Sequence, residues 1–237
     1  MCGRYTITEP PETIRAHFGY ADTPNFPPRY NIAPTQPVPI VRLEGGARHF
    51  ALVRWGLVPS WAGEIDARGP LINARAETVT RLPSFRGAMR HRRCLFICDG
   101  FYEWQKRPHG PKQPWYIRRR GGGPFAMAGL WEDWMNAEGS ELESGAVITV
   151  ATNAALEGIH TRMPAILPPE HYERWLDCTE FRAEAAAELL RPAPDSLMEA
   201  WPVSLRVNAI AHDGPELLER AGPEPTDPPK PQGDLFD

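Results

Sequence analysis

The apolar stretch CLFIC, Cys94–Cys98, says most about the fold of this 237-residue chain. It carries no charged side chain, so it predicts a strand that is buried on both faces. Other short runs rich in aromatic and β-branched residues also predict strands. These runs are Val38–Arg42, His49–Val53, Trp115–Arg119, Phe125–Trp131 and Ala146–Thr152.

Helical patterns are fewer than strand patterns. Segments that begin with proline or acidic residues predict helices at Pro10–Phe18, Pro169–Leu176 and Glu180–Leu190. The 27 prolines divide the chain into short elements. The sequence therefore predicts an α+β domain with a curved, barrel-like, mostly antiparallel sheet and short peripheral helices.

The two ends of the chain differ in composition. Residues 1–221 are predicted to form one domain, and residues 222–237, GPEPTDPPKPQGDLFD, a disordered proline-rich tail. The tail contains QGDLF, which is similar to the short QxxLF-type peptides that bind bacterial sliding clamps. A clamp is therefore a candidate partner, through Gln232, Leu235 and Phe236.

Several function classes are disfavoured. No apolar run approaches the roughly 18 residues of a membrane span, and the start of the chain does not resemble a secretory signal, so we expect a soluble, cytoplasmic protein with no membrane partner. Four irregularly spaced cysteines do not suit a disulfide framework. We expect no cofactor and no metal: Cys94 and Cys98 lack a second ligand pair, and the glycines Gly121–Gly123 predict a hairpin turn, not a phosphate loop.

Charge is segregated along the chain. The net charge is -4, yet the segment from Arg68 to Arg120 holds 13 Lys or Arg against Glu77, Asp99 and Glu103. A basic centre of this size is typical of a phosphate-binding surface, although a merely solvated face would have the same composition.

Cys2 is the most informative single position. Removal of Met1 would place an α-amine and a thiol on the same residue. The reference pKa of an α-amine is about 7.7–8.0, so much of it is an unprotonated nucleophile near neutral pH. The amine can attack an aldehyde to form an imine, and the thiol can then close a five-membered thiazolidine ring. A passive small residue at this position is the alternative.

Six short motifs follow one another along the chain. They are MCGRYT at the start, YNIAPTQ from Tyr30, RWGLVPSW from Arg54, NARAET from Asn73, CDGFYEW from Cys98 and IHTRMPAIL from Ile159. Taken together, this set resembles the SOS response-associated peptidase (SRAP) family, from Cys2 to about Val207. The resemblance implies a protein that recognises abasic sites in single-stranded DNA and links them to the N-terminal cysteine through a thiazolidine.

The resemblance also implies roles for individual residues. Cys2 would be the nucleophile, Asn73 would hold the sugar or the Cys2 terminus, and Glu103 and His160 would exchange protons. Glu103 lies among aromatic residues, where burial would raise its pKa toward neutrality, and His160 titrates near physiological pH. Candidate DNA contacts are Arg4, Trp61, Arg75, Trp104 and Arg162.

Two other function classes stay open. Glutamine amidotransferases and related N-terminal-nucleophile hydrolases also expose a cysteine after loss of methionine, and the family name itself includes peptidase. A non-catalytic single-strand binding module would keep the basic centre but be indifferent to Cys2. The sequence also leaves open self-removal of Met1 and strand incision by β-elimination.

Overall fold

The stretch CLFIC lies in a strand, Arg93–Cys98, whose six residues are all buried. The structure is a computed structural model, and it describes residues 2–65 and 69–222. In chain order the strands are β1 Arg4–Ile7, β2 Arg29–Ile32, β3 Pro37–Glu44, β4 Ala47–Trp55, β5 Asn73–Arg75, β6 Arg93–Cys98, β7 Gly100–Gln105, β8 Gln113–Arg119, β9 Phe125–Met135, β10 Glu141–Ala151, β11 Arg162–Pro164, β12 Ile166–Leu167 and β13 Met198–Pro202.

The helices are short and lie between strands. They are α1 Pro11–Phe18, α2 Pro83–His91, α3 Tyr172–Leu176 and α4 Ala183–Ala187, with 3-10 turns at Pro169–His171, Leu205–Asn208 and Pro215–Leu218. Each of α1 and α2 has a proline in its first turn, where the missing N–H costs no hydrogen bond.

Five strands close into a barrel. Pairing runs β10–β4–β3–β6–β9, and β9 pairs back to β10, so the ring has no free edge. All pairs in the ring are antiparallel except β4 with β10. Strands β5 and β11 extend the sheet from β10, and β12 extends it from β9.

A second sheet of five strands, ordered β13–β8–β7–β1–β2, joins the barrel at Asp99. This residue alone separates the end of β6 from the start of β7. Its buried carboxylate accepts hydrogen bonds from Thr6 Oγ1 at 2.5 Å and from the Glu9 amide at 2.8 Å. Asp99 thereby fixes β1, and with it the start of the chain, against the strand that leaves the barrel.

The predicted fold class is confirmed: the molecule is α+β, with a barrel, a mostly antiparallel sheet and few short helices. Six predicted strands form, most of them longer than expected. One prediction was wrong in kind. Gly121–Gly123, all with positive φ, do form a turn, but it connects β8 to β9, which belong to different sheets, so it is not a hairpin.

Two further expectations concern the end of the chain. The helix predicted over Glu180–Leu190 is reduced to α4. At the predicted start of that helix, Asp177 instead accepts the amides of Thr179 and Glu180 in a turn. Except for Gly222, the predicted tail lies outside the described residues, so the domain boundary and the tail's disorder stay predictions. None of the helices formed by residues 2–65 and 69–222 has the length and apolar composition of a membrane span.

Candidate active site

Cys2 is fully buried, and its backbone is held from the barrel side by Asn73. The Asn73 side-chain Nδ2 donates a hydrogen bond to the Cys2 carbonyl at 2.9 Å. Among the described residues, the other end of this amide, Oδ1, is buried without a hydrogen-bond partner. The amide thus anchors Cys2 with its donor and still has an acceptor for a second group.

Asn73 reaches this position because β5 adds to β10 in parallel. The register pairs Asn73 with Val147 and Arg75 with Thr149. On its other side β10 pairs with β11, where Ala151 lies opposite Arg162. The end of β10 therefore brings two distant motifs, NARAET and IHTRMP, together, one on each side of the strand.

Glu103 comes from the second sheet. Strand β7 runs antiparallel to β1 with Tyr102 opposite Arg4, so the residues before β1 lie beside the residues after Tyr102. The Glu103 side chain is 3% exposed, and burial raises its pKa to about 7. Burial also raises the pKa of the Cys2 thiol, and the neighbouring Glu103 adds to that rise. At neutral pH the sulfur is therefore a thiol, and the carboxyl group exists in both protonation states.

His160 faces Glu103, with 3.9 Å between its Nε2 and the Glu103 Oε2. Its Nδ1 accepts a hydrogen bond from the Arg162 amide at 3.0 Å and lies 3.2 Å from the Arg162 carbonyl, so the Arg162 backbone fixes the orientation of the ring and Nε2 points toward Glu103. Burial lowers the His160 pKa, which favours the neutral ring. The loop before His160 is held by Gln105, whose Nε2 donates to the Gly158 carbonyl at 2.8 Å.

The guanidinium of Arg162 is occupied by protein groups. It pairs in a forked geometry with the Glu77 carboxylate, at 2.6 and 3.0 Å, and donates to the Thr149 carbonyl at 2.5 Å. The same residue's backbone orients His160. In this structure Arg162 connects the motifs NARAET and IHTRMP. Its predicted contact with DNA would require the ion pair between Arg162 and Glu77 to break.

Arg4 and Trp104 both contact the 3-10 turn Leu205–Asn208. Arg4 donates to the Val207 carbonyl at 2.8 Å and to Asn31 Oδ1 at 2.8 Å, and Trp104 Nε1 donates to Asn208 Oδ1 at 2.8 Å. These two side chains therefore secure the C-terminal part of the domain beside β1 and β7. Their role in DNA binding stays a prediction.

Trp61 and Arg75 are the predicted DNA contacts with exposed side chains. Trp61 is 66% exposed, and its indole N–H reaches the Pro83 carbonyl at 3.5 Å. Arg75 is exposed at the end of β5, two residues after Asn73. Both side chains are available to a ligand that lies along the edge formed by β5.

The sequence did not single out Glu77, Thr149 or Lys112. Glu77 and Thr149 fix Arg162, and the positive charge of Lys112 lowers the pKa of both Glu103 and His160. Glu77 lies inside NARAET, so its place in the motif was the one available signal. No group of three His, Cys, Asp or Glu suited to a metal occurs in ranges 2–65 and 69–222.

Comparison with known proteins decides the family. The model of the family described as SOS response associated peptidase (SRAP) matches residues 1–210. The chain belongs to the SRAP family. The prediction of this family from the six motifs is confirmed.

Curated relatives span most of the chain. It is 36% identical to the abasic site processing protein YoqW of Bacillus subtilis, over 92% of this chain and 99% of the relative. It is 32% identical to the abasic site processing protein HMCES of Gallus gallus, over 92% of this chain and 77% of the relative. A solved structure of a protein from Bacteroides thetaiotaomicron matches with a TM-score of 0.82 and 26% identity, over 93% of this chain and all of that one.

Proposed function

We propose that this protein processes abasic sites in single-stranded DNA by capturing them covalently on Cys2. The observation that carries the proposal is the convergence of Cys2, Asn73, Glu103 and His160, which are far apart in the sequence, in one partly buried site. The relatives' names, abasic site processing protein, support the substrate. The basic segment from Arg68 to Arg120 supports an anionic ligand.

The chemistry requires a free amine on Cys2. Hydrolysis of the Met1–Cys2 peptide bond releases methionine and exposes it. The amine then adds to the aldehyde of the ring-opened abasic sugar, and loss of one water gives an imine. The S–H bond of Cys2 adds across the C=N bond to close the thiazolidine, with the thiol proton going to nitrogen. The whole capture releases one water.

Glu103 suits the proton transfers of this sequence. With a pKa of about 7, it can accept a proton from the attacking amine and return one to the departing hydroxyl. His160, neutral and directed at Glu103, can pass protons to the sugar oxygen during ring opening. Asn73 holds the Cys2 carbonyl and keeps the nucleophile in place.

Intact mass spectrometry tests the proposal on the purified protein before and after incubation with an abasic single-stranded oligonucleotide. We expect the starting mass to lack methionine, and the product to equal protein plus DNA minus one water. Cys2→Ala should give no heat-stable adduct, although borohydride should still trap an imine on its amine. Cys178→Ala, which changes a half-buried cysteine elsewhere, is the matched control and should react normally.

Other outcomes would redirect the assignment. A heat-stable adduct in Cys2→Ala, or intact Met1 in fully active protein, would reject the mechanism. Glutaminase or peptide-cleaving turnover without DNA would indicate an N-terminal-nucleophile hydrolase. Equal binding of damaged and undamaged strands, independent of Cys2, would indicate a non-catalytic module. Shortened strands on a denaturing gel would reveal β-elimination.

Two parts of the proposal concern the cell. We propose a sliding clamp as a partner through Gln232, Leu235 and Phe236, which lie outside the described residues. A peptide of residues 228–237 should bind the clamp and lose binding when the three residues become alanine; no binding by the unaltered peptide would remove this partner. The cytoplasmic location stays a prediction.

A further inference from the structure

Helix α2 has one apolar face and one basic face. Phe85, Ala88 and Met89 are buried, and the helix packs against β6 and β9. Arg86 and Arg90 are exposed on the opposite side. They are four residues apart, so their side chains leave the helix about 6 Å from each other along its axis.

The positive charge around α2 is not neutralised. From Arg81 to Arg93 the chain has five arginines and no Asp or Glu. Arg92 pairs with Glu132 at 3.0 Å, and Arg93 is buried against backbone carbonyls. The other three, Arg81, Arg86 and Arg90, are exposed and form no ion pair with any residue in the described ranges.

Repulsion between these arginines lowers the stability of α2 unless an anion is bound. Two like charges at positions i and i+4 repel each other and destabilise a helix. Arg90 recovers part of that stability from the helix dipole, because it lies in the last turn. Arg86, near the middle of the helix, and Arg81, before its start, gain nothing comparable. Their charge is complementary to a polyanion that lies across the helix.

The basic face adjoins the candidate active site. Arg81 donates to the Glu77 carbonyl at 3.0 Å, and the Glu77 carboxylate holds Arg162 beside His160. The exposed Trp61 contacts the first residue of α2, Pro83. A strand that leaves the site past the exposed Arg75 would meet Arg81 next and then the face of α2.

We propose that Arg81, Arg86 and Arg90 form a phosphate-binding track that holds the backbone of single-stranded DNA on one side of the lesion. This inference rests on the proposed function for the identity of the ligand. It adds a second contact region, which sets how much DNA the protein needs for tight binding and contributes no base recognition.

Salt dependence of binding tests the track. The protein would be titrated with undamaged single-stranded DNA of about 4 and about 16 nucleotides at several KCl concentrations. These lengths span the site sizes of OB-fold single-strand binding proteins. Each phosphate contact contributes about 0.7 to the slope of log K against log salt concentration. Arg86→Gln with Arg90→Gln should therefore flatten the slope by about 1.4 for the long strand. It should leave the short strand unchanged.

The matched control is Arg15→Gln with Arg220→Gln, which removes the same charge from α1 and from the side of β13. It should leave both slopes as in the unaltered protein. An equal slope in the α2 variant, or an equal loss in the control, would overturn the track. The assay needs no cross-link, so failure of the Cys2 chemistry leaves this result standing. Conversely, a failed track leaves the adduct assay untouched. Circular dichroism would verify that both variants fold.

Discussion

Glu103 is the residue whose protonation couples the site to stability. Its pKa is about 7 in the folded protein, against an ordinary value of 4.5, because burial penalises the carboxylate. The folded state therefore holds its proton more tightly than the unfolded state. The stabilisation is complete below pH 4.5 and is lost as the pH rises through 7.

This behaviour predicts that Glu103→Gln is more stable than the unaltered protein at pH 8. The amide carries no charge to bury, so the difference in free energy of unfolding should grow between pH 4.5 and 7 by up to about 3 kcal/mol. Urea denaturation at a series of pH values measures it. A difference that does not change with pH would contradict the raised pKa. The same variant should cross-link on the order of 100-fold more slowly, because proton exchange is lost.

Glu77 controls whether Arg162 can bind a phosphate. Its carboxylate occupies the fork of the Arg162 guanidinium, as a phosphate would. We predict that Glu77→Gln binds undamaged single-stranded DNA more tightly and steepens the salt slope by about 0.7, since one more cation becomes available. Fluorescence anisotropy measures both quantities.

Glu143→Gln is the control for this change, since it removes one carboxylate partner of an arginine, Arg42, at the opposite end of β10. It should leave DNA binding as it is. Weaker binding in Glu77→Gln would instead show that the pair positions Arg162 for the ligand.

At the scale of elements, the sequence predicts those strands whose local composition is sufficient to identify them. CLFIC is buried on both faces, and its short, continuous apolar run identifies β6. Helix α2 was missed because its sequence, PSFRGAMRH, has an interior glycine and only three buried side chains. Packing against β6 and β9 determines that helix. The short strands β5 and β11 have three residues each, too few for any period, and they form only because β10 supplies their hydrogen bonds.

The same limit applies to the candidate site. Glu103 and His160 were predicted individually as proton-exchanging residues, and the aromatic surroundings of Glu103 correctly indicated a raised pKa. Their mutual distance could not be predicted, because it depends on how the second sheet meets the barrel. Arg4 and Arg162 were predicted as DNA contacts from their places in the family motifs. Their protein partners, Asn31, Val207 and Glu77, come from distant parts of the chain.

At the scale of the molecule, closure of the barrel leaves no space at Gly129. A Cβ there would lie 2.3 Å from Phe96 Cδ2, inside the ring of strands. We predict that Gly129→Ala destabilises the protein by about 1–3 kcal/mol, as overpacked cores do. Gly87→Ala, on the open side of α2, should stabilise it by about 0.5–1 kcal/mol. Thermal unfolding distinguishes them; equal shifts of both variants would contradict a close-packed barrel.

The ladder between β4 and β10 has a consequence for how long the reactive arrangement lasts. It is parallel and pairs only Ser144 and Gly145 with β4, after which β5 takes over the same edge from Val147 onward. A short parallel ladder has few hydrogen bonds, so local opening of the barrel would begin there. Strand β5, which carries Asn73, forms a second short parallel ladder with β10, at Val147, Ile148 and Thr149. The time for which Asn73 holds the Cys2 carbonyl therefore depends on the backbone hydrogen bonds of this ladder as well as on the side chains that perform the chemistry.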